Sequence, residues 1–253
     1  MKHYLFLIWL LNPFSASASD EKITVLTEQL YPLSYTETRK SNGVIKGYAT
    51  ELVKAVLEES GFDYEIRMTP WPRIISSLEK QKNVLAYSVA HTEEREEQFY
   101  WIGEIISMKI SLYGLERNRA NLPNTFEEAK SFRIAVNRDS VVSDFLKEND
   151  FKRLVEINNR EKYMLLLERN RFDLFPLIDF TLPFLAERVN LNSTHYYPAV
   201  ALSALTKNLT IALSVNSSNE VRERIAKAYN IVKKSGRYDE IMSPLLLQIE
   251  QEN

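Results

Sequence analysis

A chain of 253 residues, 45% of them hydrophobic, is long enough to bury one large core or two smaller ones. Its 32 basic and 34 acidic residues nearly balance and form no long basic run, which disfavours nucleic acid as a partner. The absence of cysteine excludes disulfide bonds and thiolate metal sites. Three scattered histidines offer no metal site, and we expect no cofactor.

The first eighteen residues have the features of a secretory signal peptide. Lys2 is followed by an apolar run at residues 4–11 (YLFLIWLL) and by the small residues Ala16, Ser17 and Ala18. The run is too short to span a membrane, so cleavage after Ala18 and export to the periplasm are predicted. An uncleaved anchor or a buried strand is the alternative interpretation.

After residue 18, short apolar runs alternate with helical patterns. Strands are predicted at residues 23–26, at residues 64–68 and from Val84. Thr50 is expected to cap the first helix, and Pro72 to open the second. Because strand, helix, strand, helix, strand implies right-handed crossovers, the pattern predicts a parallel sheet with flanking helices.

The stretch at residues 83–104, NVLAYSVAHTEEREEQFYWIGE, contains the strongest site signal. A strand there would deliver Arg95 to its carboxyl end, which is the edge of an open α/β sheet where ligands bind. Guanidinium is always charged and matches a carboxylate through two parallel hydrogen bonds. The stretch therefore predicts anion capture by Arg95; the alternative is a surface pair with Glu93 or Glu97.

The same stretch resembles the first-lobe signature of the family 3 periplasmic solute-binding proteins, the polar amino acid binders of ABC importers. The resembling features are the strand, the small hydroxyl residues, the Thr-x-x-Arg at residues 92–95 and the Ile-Gly-Glu turn at residues 102–104. The segment YPLSY at residues 31–35, Gly43, Gly47-Tyr48 and a closing helix at residues 217–238 extend the resemblance over nearly all of the mature chain.

The resemblance implies a two-lobe type II periplasmic binding fold, in which each lobe is a mostly parallel sheet with flanking helices and the ligand cleft lies between the lobes. The first lobe would consist of residues 19–111 and 207–253, and the second of residues 112–206. Two strands would then cross at a hinge, and the lobes would close around a ligand. The implied protein is a monomer whose partners are a small solute and an ABC permease at the membrane.

In the first lobe, the resemblance identifies Arg95 as the group that binds the ligand carboxylate. Five residues earlier the family usually has a hydroxyl side chain, and this chain has Ala90; Ser88 remains nearby. Trp71 is expected as a pocket wall and Arg73 as a second anion contact, unless Arg73 is a solvated helix residue.

Tyr31 and Tyr35 have two interpretations. Their rings could stack on a ligand, because aromatic faces supply rigid contact area and can hold a cation. Alternatively, they fill the core next to Pro32. His91, close to the motif arginine, is interpreted as a structural residue.

In the second lobe, a strand at residues 132–136 precedes a helix that begins near Ser140. The first N–H groups of a helix lack intrahelical partners, so Ser140 and the backbone at residues 138–141 are candidates for closing over the carboxylate. Asp179 follows another predicted strand and resembles the family aspartate that binds the ligand ammonium. It sits one residue later than the usual spacing, and helix capping is the alternative for it.

No catalytic signature accompanies these features: the sequence has no Gly-x-Ser-x-Gly elbow, phosphate loop or His-Glu-x-x-His helix. We therefore expect a binding protein rather than an enzyme, with a polar amino acid as the first candidate solute. Ala90 and the shifted Asp179 leave room for a carboxylate without an ammonium group. The functional alternatives are an enzyme resembling the extracytoplasmic cyclohexadienyl dehydratases and a sensor component that presents its ligand to a membrane receptor.

Overall fold

A computed structural model describes residues 21–37, 43–138, 140–157 and 162–252. The predicted signal peptide, residues 1–18, lies outside this part of the chain. Within it, no helix is both long enough and apolar enough to cross a membrane.

The first sheet has five strands in the order β4-β1-β5-β12-β6. The strands β1, β4 and β5 pair in parallel, and β12 pairs antiparallel with both β5 and β6. The sheet therefore combines parallel and antiparallel pairings and is not the mostly parallel sheet that was expected. The reason is that β12 returns to the sheet after residues 109–206 and runs antiparallel to both of its neighbours. The bounds of the five strands are β1 Ile23–Thr27, β4 Tyr64–Met68, β5 Val84–Ala90, β6 Phe99–Met108 and β12 Lys207–Ser214. A short hairpin of β2 (Tyr35–Thr36) and β3 (Ile45–Lys46) precedes the first helix.

The second group of strands begins one residue after β6. The strand β7 (Ile110–Leu115) lies between β10 (Phe175–Ile178) and β11 (Tyr196–Ala201), and both pairings are antiparallel. A parallel pair of β8 (Ile134–Val136) and β9 (Leu154–Glu156) continues this group through a bridge between Ile134 and Leu174. The chain thus leaves the first sheet at Lys109 and returns between Ala201 and Lys207.

Eight helices cover the two groups of strands in the described part of the chain. Two of them, α7 and α8, pack against α1 beside the first sheet, and α2 packs against β5 and β12. The bounds are α1 Tyr48–Ser60, α2 Trp71–Lys80, α3 Phe126–Ala129, α4 Val141–Glu148, α5 Lys162–Glu168, α6 Leu182–Arg188, α7 Asn219–Lys234 and α8 Arg237–Glu252.

This architecture confirms the predicted α/β class with flanking helices. The second group of strands is mixed as well, because both pairings of β7 are antiparallel. The lobe boundaries at residues 111/112 and 206/207 stay a prediction. One large core includes buried residues of both strand groups, among them Met108 and Ile110 on either side of the first crossing. The crossing is therefore packed on both sides rather than being a loose linker.

The predicted cap of the first helix is wrong. The helix α1 begins at Tyr48 after Gly47, whose φ of 124° is open to glycine alone and whose Cβ would lie 2.4 Å from the carbonyl oxygen of Leu33. The carbonyl of Leu33 accepts hydrogen bonds from the N–H groups of Ala49 and Thr50. Because a neighbouring loop supplies the cap, Thr50 lies inside the helix and its hydroxyl meets Tyr87 Oη at 2.8 Å.

Candidate functional site

The parallel strands of the first sheet deliver three side chains to one cavity. Glu28 follows the end of β1, Trp71 lies just beyond β4, and Arg95 closes the 3-10 turn that follows β5. Parallel strands end at the same edge of a sheet, so residues distant in sequence meet there. The second strand group supplies the facing wall: Asn137 and Ser140 follow β8, and Ile178 ends β10.

The cavity has a volume of about 90 Å³. Of the nine residues that the sequence predicts to contact a ligand, it brings together five: Trp71, Ser88, Ala90, Arg95 and Ser140.

Arg95 is the most distinctive group in the cavity. Its guanidinium lies 5.4 Å from the centre of the Trp71 ring, and its Nη1 is buried without a hydrogen-bond partner. No ion pair joins Arg95 to another described residue, so the surface pair with Glu93 or Glu97 is not formed there. Burial lowers the pKa of Arg95, and Asp144 in the first turn of α4 opposes this effect through its charge. A buried donor with no acceptor is costly, and a bound anion would supply the acceptor.

Ser88 also presents an unpartnered polar atom, because its Oγ is buried without a hydrogen bond. Its backbone has a φ of 60°, which is a strained conformation for a residue with a Cβ. The pairing of β5 with β12 skips Ser88, since Tyr87 opposes Ile211 and Val89 opposes Thr210. Ser88 is thus a bulge residue, and bulges next to binding sites re-aim side chains.

On the facing wall, Ser140 caps the amino terminus of α4. Its Oγ accepts a hydrogen bond from the N–H of Ser143 at 3.2 Å and donates one to the carbonyl of Asn137 at 2.7 Å. Ser140 therefore acts as the helix cap, and its hydroxyl proton is already engaged. Val141 and Val142 also line the cavity, and their N–H groups belong to the first turn of the helix.

Asp179 lies in a different cavity, of about 730 Å³, beside Lys109 and the end of α8. Its carboxylate accepts hydrogen bonds from Tyr113 Oη at 3.2 Å and from the Ser111 hydroxyl. Burial nevertheless raises the pKa of Asp179. The preceding residue, Ile178, lines the cavity of Arg95 instead. The structure therefore does not bring Asp179 together with Arg95.

Tyr31, Tyr35 and Arg73 also lie outside the cavity lining. The rings of Tyr31 and Tyr35 are 4.0 Å apart, and that of Tyr31 is 6.0 Å from the ring of Phe184 in α6. The guanidinium of Arg188, at the end of α6, lies 5.4 Å from the centre of the Tyr31 ring. Arg188 also donates a hydrogen bond to the carbonyl of Thr36 at 2.7 Å.

Burial raises the pKa of Tyr31 to about 12. Tyr31, with Tyr35 packed against its ring, thus connects the segment after β1 to α6. Arg73 is exposed on α2.

The sequence analysis does not single out several lining residues, and among those that the structure describes the charged one is Glu28. The signal that could have found Glu28 is its place directly after a parallel strand, which is the same argument that pointed to Arg95. His91 stacks on Trp101 with 4.1 Å between ring centres and contacts Glu96, outside the cavity. The other lining residues that were not predicted include Met108, Asn137, Tyr163 and Thr181.

A comparison of the sequence with known protein families gives one match. The sequence matches the bacterial extracellular solute-binding proteins, family 3, over residues 23–246. No curated protein matches the sequence significantly.

Among solved structures, a histidine kinase sensor domain with similarity to periplasmic binding proteins is 20% identical, with a TM-score of 0.78 over 89% of this chain and 96% of that chain. An ancestral arginine-binding protein bound to arginine is 21% identical, with a TM-score of 0.73 over 88% of this chain and 97% of that chain. An amino acid ABC transporter substrate-binding protein from Streptococcus pneumoniae bound to L-arginine is 18% identical, with a TM-score of 0.74 over 90% and 95%. At these identities the likeness shows the fold, and it confirms the predicted two-lobe type II periplasmic binding fold.

Proposed function

This chain belongs to family 3 of the bacterial extracellular solute-binding proteins, and on that premise we propose that it captures a small carboxylate-bearing solute in the periplasm for an ABC importer. The family supports the transport role, and the cavity between the two strand groups supports the binding role. The ligand would enter an open cleft, and closure of the two lobes about their crossing segments would enclose it. The closed, monomeric protein would then dock on a membrane permease.

The observation that carries the proposal is the buried and unpartnered Nη1 of Arg95. The Nη1 group in this state has lost its water without gaining an acceptor, and a ligand carboxylate would supply that acceptor. The orphaned Oγ of Ser88 offers a further donor in the same cavity. From the facing lobe, the first turn of α4 would direct free N–H groups toward the bound anion after closure.

A polar amino acid is the solute class that the family suggests. Arg95 supports the carboxylate part of that suggestion. Binding of the ammonium by Asp179 has less support, because Asp179 and Arg95 line different cavities.

The proposal can be tested by a thermal-shift screen of the purified protein against amino acids and small carboxylates. A ligand that binds only the folded state stabilises it by about 2.7 kcal/mol at a hundredfold excess over Kd, which raises Tm by about 5 to 10 °C in a chain of this size. We expect Arg95→Ala to abolish the shift. Arg73→Ala, which removes an exposed arginine outside the cavity, is the matched control and should retain it. An Arg95→Ala protein that binds its best solute as tightly as the parent would contradict the proposal.

Two other roles can be separated from transport by direct observation. A sensor component would act through a receptor in trans, so neighbouring genes for a receptor, in place of a permease and an ATPase, would favour that role. A dehydratase would convert prephenate or arogenate, so product formation during the screen would favour catalysis. In this fold a cleft carboxylate would have to act as the general acid, and Glu28 is the acidic residue that lines the cavity of Arg95.

A further inference from the structure

We infer that Arg188 stabilises the closed form of the protein through a contact between the two groups of strands, outside the cavity of Arg95. The inference rests on the lobe closure that the proposed function includes, but it does not depend on the identity of the solute. One side of the contact is α6, which follows β10 in the second group. The other side is formed by residues 31–36, which follow β1 of the first sheet.

Two residues of α6 contact the same tyrosine. The guanidinium of Arg188 lies 5.4 Å from the centre of the Tyr31 ring, and the centre of the Phe184 ring lies 6.0 Å from the same point. Residues four apart lie on the same face of a helix, so α6 presents a charged and an aromatic group together. Arg188 Nη2 also donates a hydrogen bond to the carbonyl of Thr36 at 2.7 Å, 152 residues away in the sequence.

The surface that receives Arg188 is fixed to the end of β1. Leu30 and Ser34 exchange two backbone hydrogen bonds of 2.8 Å, which close a tight loop that contains Tyr31. The Oγ of Ser34 donates a further hydrogen bond to the carbonyl of Glu28 at 2.8 Å. The ring of Tyr35 packs on that of Tyr31 with 4.0 Å between their centres. The contact therefore joins α6 to an element bonded to the first sheet.

Both sides of the contact continue directly into the cavity lining. Leu30 precedes Tyr31 and Thr181 precedes α6, and both of these preceding residues line the cavity. At a rise of 1.5 Å per residue, Arg188 lies about 10 Å along the helix from Thr181. Arg188 and Tyr31 are not themselves lining residues. The contact would therefore act on closure of the cavity and not on the choice of solute.

The contact can form only while the two groups of strands are close together. A cation over an aromatic ring and a hydrogen bond with a charged donor both favour that arrangement, although water replaces part of each when the groups separate. The net effect of such a pair is on the order of tenfold in the ratio of closed to open molecules. A closed form favoured in this way retains a bound solute longer.

The inference can be tested by pulsed electron paramagnetic resonance on the purified protein without added solute. The chain has no cysteine, so Glu97→Cys and Glu148→Cys create two unique sites for spin labels. Both residues are exposed; Glu97 follows the turn of Arg95, and Glu148 ends α4, whose first turn lines the facing wall. The distance between the labels therefore crosses the cavity. We expect Arg188→Met to raise the ratio of molecules with the longer distance to those with the shorter one by about tenfold.

Three further variants show whether the effect belongs to this contact. Arg169→Met removes an exposed arginine of the second group outside the contact and should leave the distances unchanged. Arg188→Lys retains a charge near the ring, so its effect should be smaller than that of Arg188→Met. Tyr31→Leu should also raise the open fraction. Combined with Arg188→Met, it should add less than about twofold, because both changes remove one shared contact.

An unchanged distance distribution in Arg188→Met would overturn the inference, and so would effects of Arg188→Met and Tyr31→Leu that multiply in full. If Arg188→Met fails to fold, an unchanged distribution in Tyr31→Leu overturns the inference in its place. Failure of the proposed function would appear separately, as solute binding that does not depend on Arg95, because the distance measurement contains no solute.

Discussion

Arg95 and Asp179 are half-buried charged residues that each follow a strand, yet their surroundings are opposite. Arg95 has a buried Nη1 without a partner, whereas Asp179 accepts two hydroxyl hydrogen bonds. Burial lowers the pKa of Arg95 and raises that of Asp179, so it favours the uncharged form of both groups. The difference is in their hydrogen bonding: the fold leaves Nη1 of Arg95 unsatisfied, whereas the carboxylate of Asp179 has hydrogen-bond donors. We therefore propose that Arg95, and not Asp179, contacts the ligand.

Among the substitutions that test this contrast, Arg95→Met is expected to have the largest effect on carboxylate affinity. Methionine retains apolar contact with Trp71 but removes the charge and the donors, so carboxylate affinity should fall by about a hundredfold, or ~3 kcal/mol. Stability should not fall, because the substitution also removes a buried unsatisfied group. Titration calorimetry and urea unfolding measure the two quantities. A parallel loss of stability would mean that Arg95 supports the fold rather than the ligand.

A smaller loss of affinity is expected from Ser88→Ala. The backbone conformation at φ 60° is the same for alanine, so the variant removes only the hydroxyl. Loss of one hydrogen bond to a charged ligand should weaken binding by about tenfold, or ~1.5 kcal/mol. Unchanged affinity in a titration against the parent's best carboxylate would show that the Oγ does not contact the ligand.

Ser88→Gly tests the strain at the same bulge. Glycine adopts positive φ without the Cβ penalty, so the folded state should gain about 1 kcal/mol, partly offset by the greater freedom of the unfolded chain. Because of this offset the rise in Tm should be smaller than the value of about 2 to 4 °C that corresponds to a full 1 kcal/mol. Affinity should fall as it does in Ser88→Ala. A lower Tm would indicate that the serine side chain stabilises the bulge.

The smallest effect on binding is expected from Asp179→Asn, which should change carboxylate affinity by less than about twofold, within the range of a neutral surface change. Its effect should appear in the pH dependence of stability. The pKa of Asp179 is raised in the folded state, so the parent loses stability as pH rises above about 4, where the unfolded carboxyl ionises first.

Asparagine can still accept the hydrogen bonds of Tyr113 and Ser111 and does not ionise. The stability advantage of Asp179→Asn should therefore be absent at about pH 3 and present at pH 7, as measured by urea unfolding at both values. An advantage that is equal at both pH values would contradict the proposed cause. A tenfold loss of carboxylate affinity in Asp179→Asn would instead indicate that Asp179 contacts the ligand.

Local pattern was sufficient for much of the fold. Alternating strands and helices predicted the α/β class. Thr125 with Glu128 three residues later is a local pattern typical of a capped helix, and the Glu128 N–H indeed donates a hydrogen bond to the Thr125 hydroxyl. The same pattern at Ser217 and Glu220 indicates a cap at Ser217 for the helix after β12, which is one residue too early. Ser218 caps α7, and Ser217 accepts a hydrogen bond from the N–H of Asn83 instead. Adjacent serines are locally equivalent, and a contact distant in sequence decides between them.

By itself, the sequence determined the family, the order of the elements and the placement of Arg95, Trp71 and Ser140, because each depends on a motif or on the end of a strand. The tertiary structure alone decided which neighbouring side chains share a cavity. The strand β10 ends at Ile178 and a 3-10 turn begins at Asp179, so the chain changes direction there, and Ile178 lines the cavity of Arg95 while Asp179 lines the other cavity. Likewise, Tyr31 packs against α6 and Tyr35 packs against Tyr31, because a helix from a distant part of the chain sets the surroundings of Tyr31.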